Sequence, residues 1–589
     1  LHKSSFCVIK FSLEDLHLNL NTVIEREVVN TYQLITAQQY VQAEARAYLL
    51  LEKQPNNSKV YELIGNINYE QKKYRQSVWY FCSALENDPD NAYLLNKFGE
   101  NLYHLKKYNH AEVCIKRAIE LDPKASDFYL SLGLNYQEQN NLFDAQICFE
   151  QAMEINPKEV FAYLNLALIH KRNRNYEEAI KVYQKGIIKN PDNYFILTNL
   201  GNLFYLQKKY NDAILCHKRA AKITPDSAVV LLNYANTLFA SGNVDQSTQV
   251  YREIIKIDEN FARAHLQLGQ NLLMQRQFEE GFKELRWHSK VDENLYRFER
   301  FKDKRWNGEN LQYKTILICA ESGLGDVIQF SRYLEPLKKL QCKIIFAVQK
   351  KLMHFFKDLK CIDEIVSIES EVENFDYYSP LMSLAEFLSP DLIQQCPPPL
   401  KLKVNEQKLL EWEMLMKLDH KVRVGLCWQG SLKNPKEHLN TISLSLLKNF
   451  FKLTNAKFIS LQKGEAREQI LKQNFARFLI DYDPLLDTGK DAFIDSAAII
   501  KLLDVIITVD TSIAHLAASL GKTTWVLLPY TSDWRWFEKI DESIWYENVR
   551  LFRQNQNGTW ENVIEEVDRE LTGLVQNIYE VRKKSDLIF

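Results

Sequence analysis

Three short stretches hold residue types and spacings able to do chemistry. Glu321-Ser322-Gly323-Leu324-Gly325-Asp326 sets small residues between two carboxylates. As a dinucleotide fingerprint it lacks the third glycine, because Ile328 stands there. It reads instead as a tight turn bringing backbone close to a ligand. Asp326 falls at a helix start, where capping explains it as readily as chemistry does. Asp510-Thr511-Ser512-Ile513-Ala514-His515 opens a helix with small hydroxyl residues and free amides, the arrangement that holds phosphate. Capping accounts equally for Asp510 and Ser512, and His515 one turn in is either a packing residue or a ligand contact. In Asp533-Trp534-Arg535-Trp536 the guanidinium can stack on indole or hold an anion. The alternative is a buried aromatic cluster that locks a loop. Gly521-Lys522-Thr523 is no P-loop: Leu516 replaces its first glycine, and the tripeptide precedes a strand instead of following one. Asp481-Tyr482-Asp483 is too short a pattern to claim a metal, and no zinc signature is present.

These stretches need a scaffold, and the second half of the chain supplies an α/β one. Apolar runs predict strands at 315–319, 343–348, 364–368, 423–428, 457–461, 505–509 and 524–528. Helices are predicted at 327–340, 443–453, 495–502 and 512–520, with a closing helix at 560–584. Short strands alternating with helices imply parallel sheets. Cys396-Pro397-Pro398-Pro399 marks a break, giving two Rossmann-like domains, 312–395 and 420–550, with a cleft between them. Ligands bind such sheets at the strands' carboxyl ends, where all three stretches fall.

The first half is a repeat. Pro55, Pro89, Pro123, Pro157, Pro191 and Pro225 are 34 residues apart. Gly65, Gly99, Gly133, Ala167, Gly201, Ala235 and Gly269 keep the same phase. So do Ser77, Ala111, Ala145, Ala179, Ala213, Ser247 and Gly281. Small residues let two helices approach, and proline ends the second helix of each unit. This period resembles the tetratricopeptide repeat (TPR). It predicts an all-α TPR solenoid over 24–295, about seven to eight repeats with a worn first one. Such arrays stack into a superhelix with a groove for a protein or peptide. The polar candidates on the first helices are Asn96, Asn165, Asn199, Asn202, Asn233 and Asn236. Asparagine is a poor helix former, so its recurrence suggests contact with a bound peptide backbone, or else a solvated face.

Composition narrows the class. The 589 residues include 74 Lys+Arg and 76 Asp+Glu, a net charge of −2, which argues against a general nucleic-acid binder. Mean hydropathy is −0.33, and no apolar run reaches the length of a membrane span. Lys10, Glu14, Asp15 and His17 interrupt the apolar stretch near the start, so no signal peptide is expected. The ten cysteines form no CxxC pair, and Cys114, Cys148 and Cys216 share one repeat phase. A reducing, cytoplasmic setting is expected.

Further motifs carry a second resemblance. Ala320 to Asp326 is joined by Gln329-Phe330 and Arg332-Tyr333, then by Val424-Gly425-Leu426-Cys427-Trp428 with Gly430. Ser460-Leu461-Gln462-Lys463-Gly464, Leu503 through Asp510 to Ala517, Asp533 to Trp536 and Arg550 to Gln554 follow. Together these resemble the bacterial TPR-linked glycosyltransferases related to family 9, the heptosyltransferase family. The resemblance implies a GT-B fold, a nucleotide-sugar donor held mainly by the second domain, inversion, and no metal or other cofactor. It implies that Asp326 is the general base, with Glu321, Gly323, Gly325 and Gln329 shaping the acceptor turn. Donor contacts would come from Trp428, Gly430, Lys463, Asp510, Thr511, Ser512, Ala514 and His515. Relatives carry a basic residue where this chain has Asn440; Lys433, Lys436 and His438 are the neighbours able to replace its charge. The acceptor would be a protein gripped by the TPR groove, with flagellin as one example. The alternative is a TPR adaptor whose transferase half has decayed.

Overall fold

The computed structural model describes residues 23–417, 419–430, 440–555 and 558–585. The chain divides into a compact unit ending at Pro225 and another beginning at Asp226.

The first unit is built of helical hairpins. Val23–Thr36 with Tyr40–Lys53 forms the first, and Ser58–Glu70 with Tyr74–Asn87 the second. The same pairing recurs to Tyr194–Leu206 with Tyr210–Ile223. Small residues at the repeated positions let the paired helices touch. A Cβ on Gly133 would lie 2.6 Å from the Phe149 ring. Ser77 Oγ, at the second small position, donates to the Gly65 carbonyl at 2.8 Å. A left-handed residue closes each hairpin turn: Gln38, Lys72, Lys106, Asn140, Arg174 and Lys208 all have φ of 59–60°. Lys72 N then reaches the Tyr69 carbonyl and Lys73 N the Asn68 carbonyl, capping the first helix. This feature keeps the 34-residue phase, yet none of these six residues is a glycine.

The second unit begins with two more hairpins, Ala228–Ala240 with Val244–Ile257 and Ala262–Met274 with Phe278–Leu285. They are not the end of a separate 24–295 domain. Val244, Leu273, Met274, Phe282 and Leu285 share one buried core with Trp306, Ile316, Phe330 and Trp534.

Two parallel sheets follow. The first comprises β1 (Thr315–Cys319), β2 (Lys343–Val348), β3 (Glu364–Ser367) and β4 (Tyr377–Pro380), in the order β3-β2-β1-β4. The second comprises β5 (Val422–Cys427), β6 (Ala456–Ser460), β7 (Leu479–Ile480), β8 (Val505–Val509), β9 (Thr523–Leu528) and β10 (Val549–Arg553). Its order, β10-β9-β8-β5-β6-β7, is that of a doubly wound sheet. Register pairs Ile316 with Ile344 in the first sheet and Val424 with Val505 in the second. β8 is buried along its whole length, as a central parallel strand requires. β4, β7 and β10 are edge strands that the apolar pattern does not predict: they are short, or carry Pro380, Arg550 and Arg553.

The helix expected over 327–340 is three pieces: Leu324–Phe330, a tight turn at Ser331–Tyr333 and Leu334–Lys338. Pro336 lacks an amide proton and its ring would crowd the Arg332 carbonyl in a continuous helix. Glu561–Ser585 closes the chain, seating Val563, Ile564, Val567, Leu571 and Val575 on the second sheet's core. Among the described residues no helix is long and apolar enough to cross a membrane. The expectation about a signal peptide falls on residues outside the described ones.

Candidate functional site

The loops leaving the carboxyl ends of β1, β8 and β9 converge. In the loop after β1, Glu321 is fully buried, and its Oε1 accepts from Met382 N at 2.7 Å. Ser322 donates through N and Oγ to the two carboxylate oxygens of Asp292, both at 2.9 Å. Asp326 lies in the first turn of Leu324–Phe330 with its carboxylate folded back over the helix start, so a Cβ on Gly323 would collide with Oδ2.

Arg535 reaches this carboxylate from the loop after β9. Its Nη2 donates to Asp326 Oδ1 at 2.7 Å and its Nη1 to Asp533 Oδ1 at 2.7 Å. The guanidinium sits 5.5 Å from the Phe330 ring centre and 5.1 Å from that of Trp534. Both readings of the DWRW stretch are therefore realised: Arg535 stacks, pairs with anions and lies in a buried aromatic cluster. Its Nε has no partner among the described residues.

The helix Ser512–Ser519 starts against the helix that carries Asp326. A Cβ on Gly325 would stand 3.1 Å from His515 Cδ2 and 3.3 Å from Ser512 Cα. Gly325 is thus the point where the two helices touch. His515 is buried, 3.2 Å from the Tyr546 hydroxyl and stacked on Trp536. Burial, with the Arg535 and Arg332 charges, pushes its imidazole down to about 3, so it packs as a neutral ring. Burial, then the Asp533 and Asp326 charges, pushes the Asp510 carboxyl up to about 7; Trp536 and Arg535 oppose the rise. Thr511 Oγ1 lies 3.1 Å from Thr508 Oγ1. The Ala514 amide is already bonded to the Thr511 carbonyl, so the amides heading this helix are those of Ser512 and Ile513. Ala514 is a buried packing residue.

Farther along the second sheet, Gln462 ties the loops after β5 and β6. Its Oε1 accepts from Trp428 N and Gln429 N, and its Nε2 donates to the Gln429 and Lys463 carbonyls. Trp428 is buried beneath it. Lys463 turns its ammonium to the Leu486 and Asp487 carbonyls, a tether between loops. Gly430 ends the described part of the loop, and Lys433, Lys436 and His438 lie outside the described residues. Gln329 is fully buried behind Asp326, and neither of its amide atoms has a partner among the described residues. Asp481 and Asp483 both close on Arg467.

Two groups escaped the sequence reading. Asp292 holds Ser322, and His288 lies 3.6 Å from Asp292. Burial lowers the His288 pKa, with the Arg535 charge adding, while Asp292 and Asp326 oppose. Neither residue belongs to a motif, so only folding joins them to the loop. The last two hairpins also form the wall behind Arg535. Thr531 Oγ1 donates to the Ala240 carbonyl at 3.4 Å, and Phe537 meets Phe278 edge-on at 6.3 Å. Gly242, at φ +85°, leaves room for Tyr530: a Cβ there would lie 2.5 Å from the ring.

The asparagines on the hairpins are less open than expected. Asn96 is fully buried and donates to Glu100 Oε1 at 2.8 Å. Asn165 and Asn199 donate to the Phe161 and Phe195 carbonyls one turn back. Asn236 accepts from the Tyr251 hydroxyl at 2.7 Å, while Asn202 and Asn233 are partly buried. Their amide groups are thus largely engaged by the array itself, and Asn199 alone of the six is exposed.

The tetratricopeptide repeat family model matches residues 92–124, 126–159, 148–181 and 204–268. The helical hairpins are tetratricopeptide repeats. Protein FlbA of Caulobacter vibrioides is 24% identical over 280 residues, 44% of this chain and 46% of FlbA. The chain therefore spans about half the length of that curated relative. A tetratricopeptide repeat protein from Parabacteroides merdae is 18% identical, with a TM-score of 0.32 over 42% of this chain and 98% of its own. The pilF protein of Pseudomonas aeruginosa is 20% identical, with a TM-score of 0.31 over 36% and 94%.

Proposed function

We propose that this chain is a glycosyltransferase that moves a sugar from a nucleotide-sugar donor to a hydroxyl of a protein held by its tetratricopeptide repeats. The observation that carries the reading is the meeting of Asp326 and Arg535, from loops at the carboxyl ends of β1 and β9. The helix start at Ser512 packs beside them. Doubly wound sheets bind nucleotides at such ends.

In this reading Asp326 accepts the proton of the acceptor hydroxyl as that oxygen forms its bond to the sugar's anomeric carbon. The bond from that carbon to the donor's phosphate oxygen breaks, and its electron pair leaves with the nucleoside diphosphate. Attack from the side opposite the leaving group inverts the centre. The Ser512 and Ile513 amides and the Arg535 guanidinium are the groups available to meet the growing charge. Arg535 would then supply the cation that Asn440 cannot. No metal takes part in this scheme, the reaction is placed in the cytoplasm, and flagellin is one example of the protein acceptors that the glycosyltransferase resemblance points to.

A second reading, a protein-interaction adaptor with an inactive α/β unit, draws on Asn440 and on the engagement of Asp326 by Arg535. Calorimetry of the full chain with UDP, ADP, GDP and CMP separates the two. One preferred nucleotide supports the transferase. No heat with any of the four, from a folded protein, favours the adaptor.

A further inference from the structure

We propose that the first helices of the hairpins between Tyr32 and Glu159 form a docking strip for a lysine- or arginine-bearing segment of a partner protein. This rests on the reading that the repeats bind a protein, and it names the chemistry of what they bind.

The strip is continuous. Tyr32 Oη donates to Glu62 Oε1 at 2.9 Å, and Asn66 Nδ2 to Tyr32 Oη at 3.1 Å. The Tyr69 hydroxyl lies 3.2 Å from His104 Nε2, and Ser131 Oγ donates to Glu100 Oε1 at 3.1 Å. Each contact joins one hairpin to the next.

Its charge is lopsided. Glu62, Glu70, Glu100, Asp127 and Glu159 line it, with Lys59 and Lys97 as the nearby cations. Lys97 bonds Glu100 Oε2 at 2.7 Å and lies 5.4 and 5.9 Å from the Tyr69 and Tyr93 ring centres. The strip thus already holds one ammonium between a carboxylate and two aromatic faces, the arrangement a second cation would meet. Asp127 is exposed in the first turn of Ser126–Glu138. Burial raises the pKa of the half-buried Glu62 and Glu159.

An independent sign of a missing donor comes from Asn96. It is fully buried and its Nδ2 bonds Glu100, but its Oδ1 has no partner among the described residues. The acidity is also local and not a property of the repeat. One and two repeats on, Glu100 becomes Leu134 and Leu168, and Asp127 becomes Phe161 and Phe195. A basic segment therefore meets acidity here that the next two repeats replace with apolar side chains.

The test is fluorescence anisotropy of the full chain with a labelled Gly/Ser peptide carrying spaced lysines. Its counterpart carries glutamine at the same places. The basic peptide is expected to bind at least about tenfold tighter, and to weaken as salt rises. Glu62→Gln with Asp127→Asn keeps shape and should weaken it about tenfold, with an unchanged helical spectrum. Equal binding of the two peptides overturns the proposal. So does unchanged affinity in the folded double variant. Nucleotide calorimetry of the same samples is independent: peptide binding without nucleotide binding keeps the strip and removes the transferase, and the converse keeps the transferase and removes the strip.

Discussion

Arg535 Nη2 lies 2.7 Å from Asp326 Oδ1, so a loop of the second sheet holds the carboxylate that heads a helix of the first. The guanidinium is 90% buried, while the Asp326 and Asp533 side chains keep 29% and 27% of their exposure. One face of the pair is thus protein and the other is open to a ligand.

Asp326→Asn preserves shape and hydrogen bonding but cannot accept a proton. Transfer to an acceptor protein should fall by about a hundredfold or more, while nucleotide affinity measured by calorimetry stays within a few-fold. Unaltered turnover would take the base role away from Asp326.

Arg535→Ala leaves Asp326, Asp533 and Asp510 facing one another without their cation. Removing one partner of a buried pair is costly, and the carboxylates' exposure reduces the cost to about 2 kcal/mol. Chemical denaturation should show that loss, with Arg535→Lys losing less. A variant as stable as the parent would mean that solvent, not Arg535, balances these carboxylates.

Burial pushes the Glu321 carboxyl up to about 8, and the Asp326 and Asp292 charges add to it. The folded chain therefore keeps a proton that the unfolded chain releases above the ordinary value of 4.5. Stability from this residue is whole below that pH and declines as pH climbs toward 8. Glu321→Gln should match the parent's melting temperature at about pH 4.5 and exceed it at about pH 9. Parallel curves for the two proteins across that range would count against a buried, neutral acid.

Gly242→Ala combines left-handed backbone strain of about 1–2 kcal/mol with a clash on Tyr530. In a double-mutant cycle, Tyr530→Ala should relieve the clash and leave the backbone cost, so the two changes are not additive. Tryptophan emission should also shift in Gly242→Ala, because the displaced loop carries Trp534 and Trp536. Strict additivity with unchanged emission would detach the repeat from the loop.

Much of the scaffold was legible in the residues. Proline and the two small positions marked the hairpins, because a helix contact that excludes a Cβ must recur wherever the contact does. The central strands were legible as unbroken apolar runs, because both faces of a parallel strand are buried. Of the edge strands, β3 was legible but β4, β7 and β10 were not, since one side of each lies outside the sheet and tolerates arginine, tyrosine and proline. The asparagines misled: their spacing suggested an open ladder, but Asn165 and Asn199 bond their own helix and Asn96 is buried.

The sequence by itself determined the paired helices of the repeats and the central strands, and where short motifs sit on them, because those features depend on neighbours within a turn or a pleat. Only the tertiary structure decided which side chains face one another. Asp326 and Arg535 are 209 residues apart in the chain. Nothing local links them, nor joins Asp292 to Ser322, or Gly242 to Tyr530. Shared burial brings them together: the last two hairpins and both sheets close over apolar surface, and the charges at its rim must find partners where that packing leaves them.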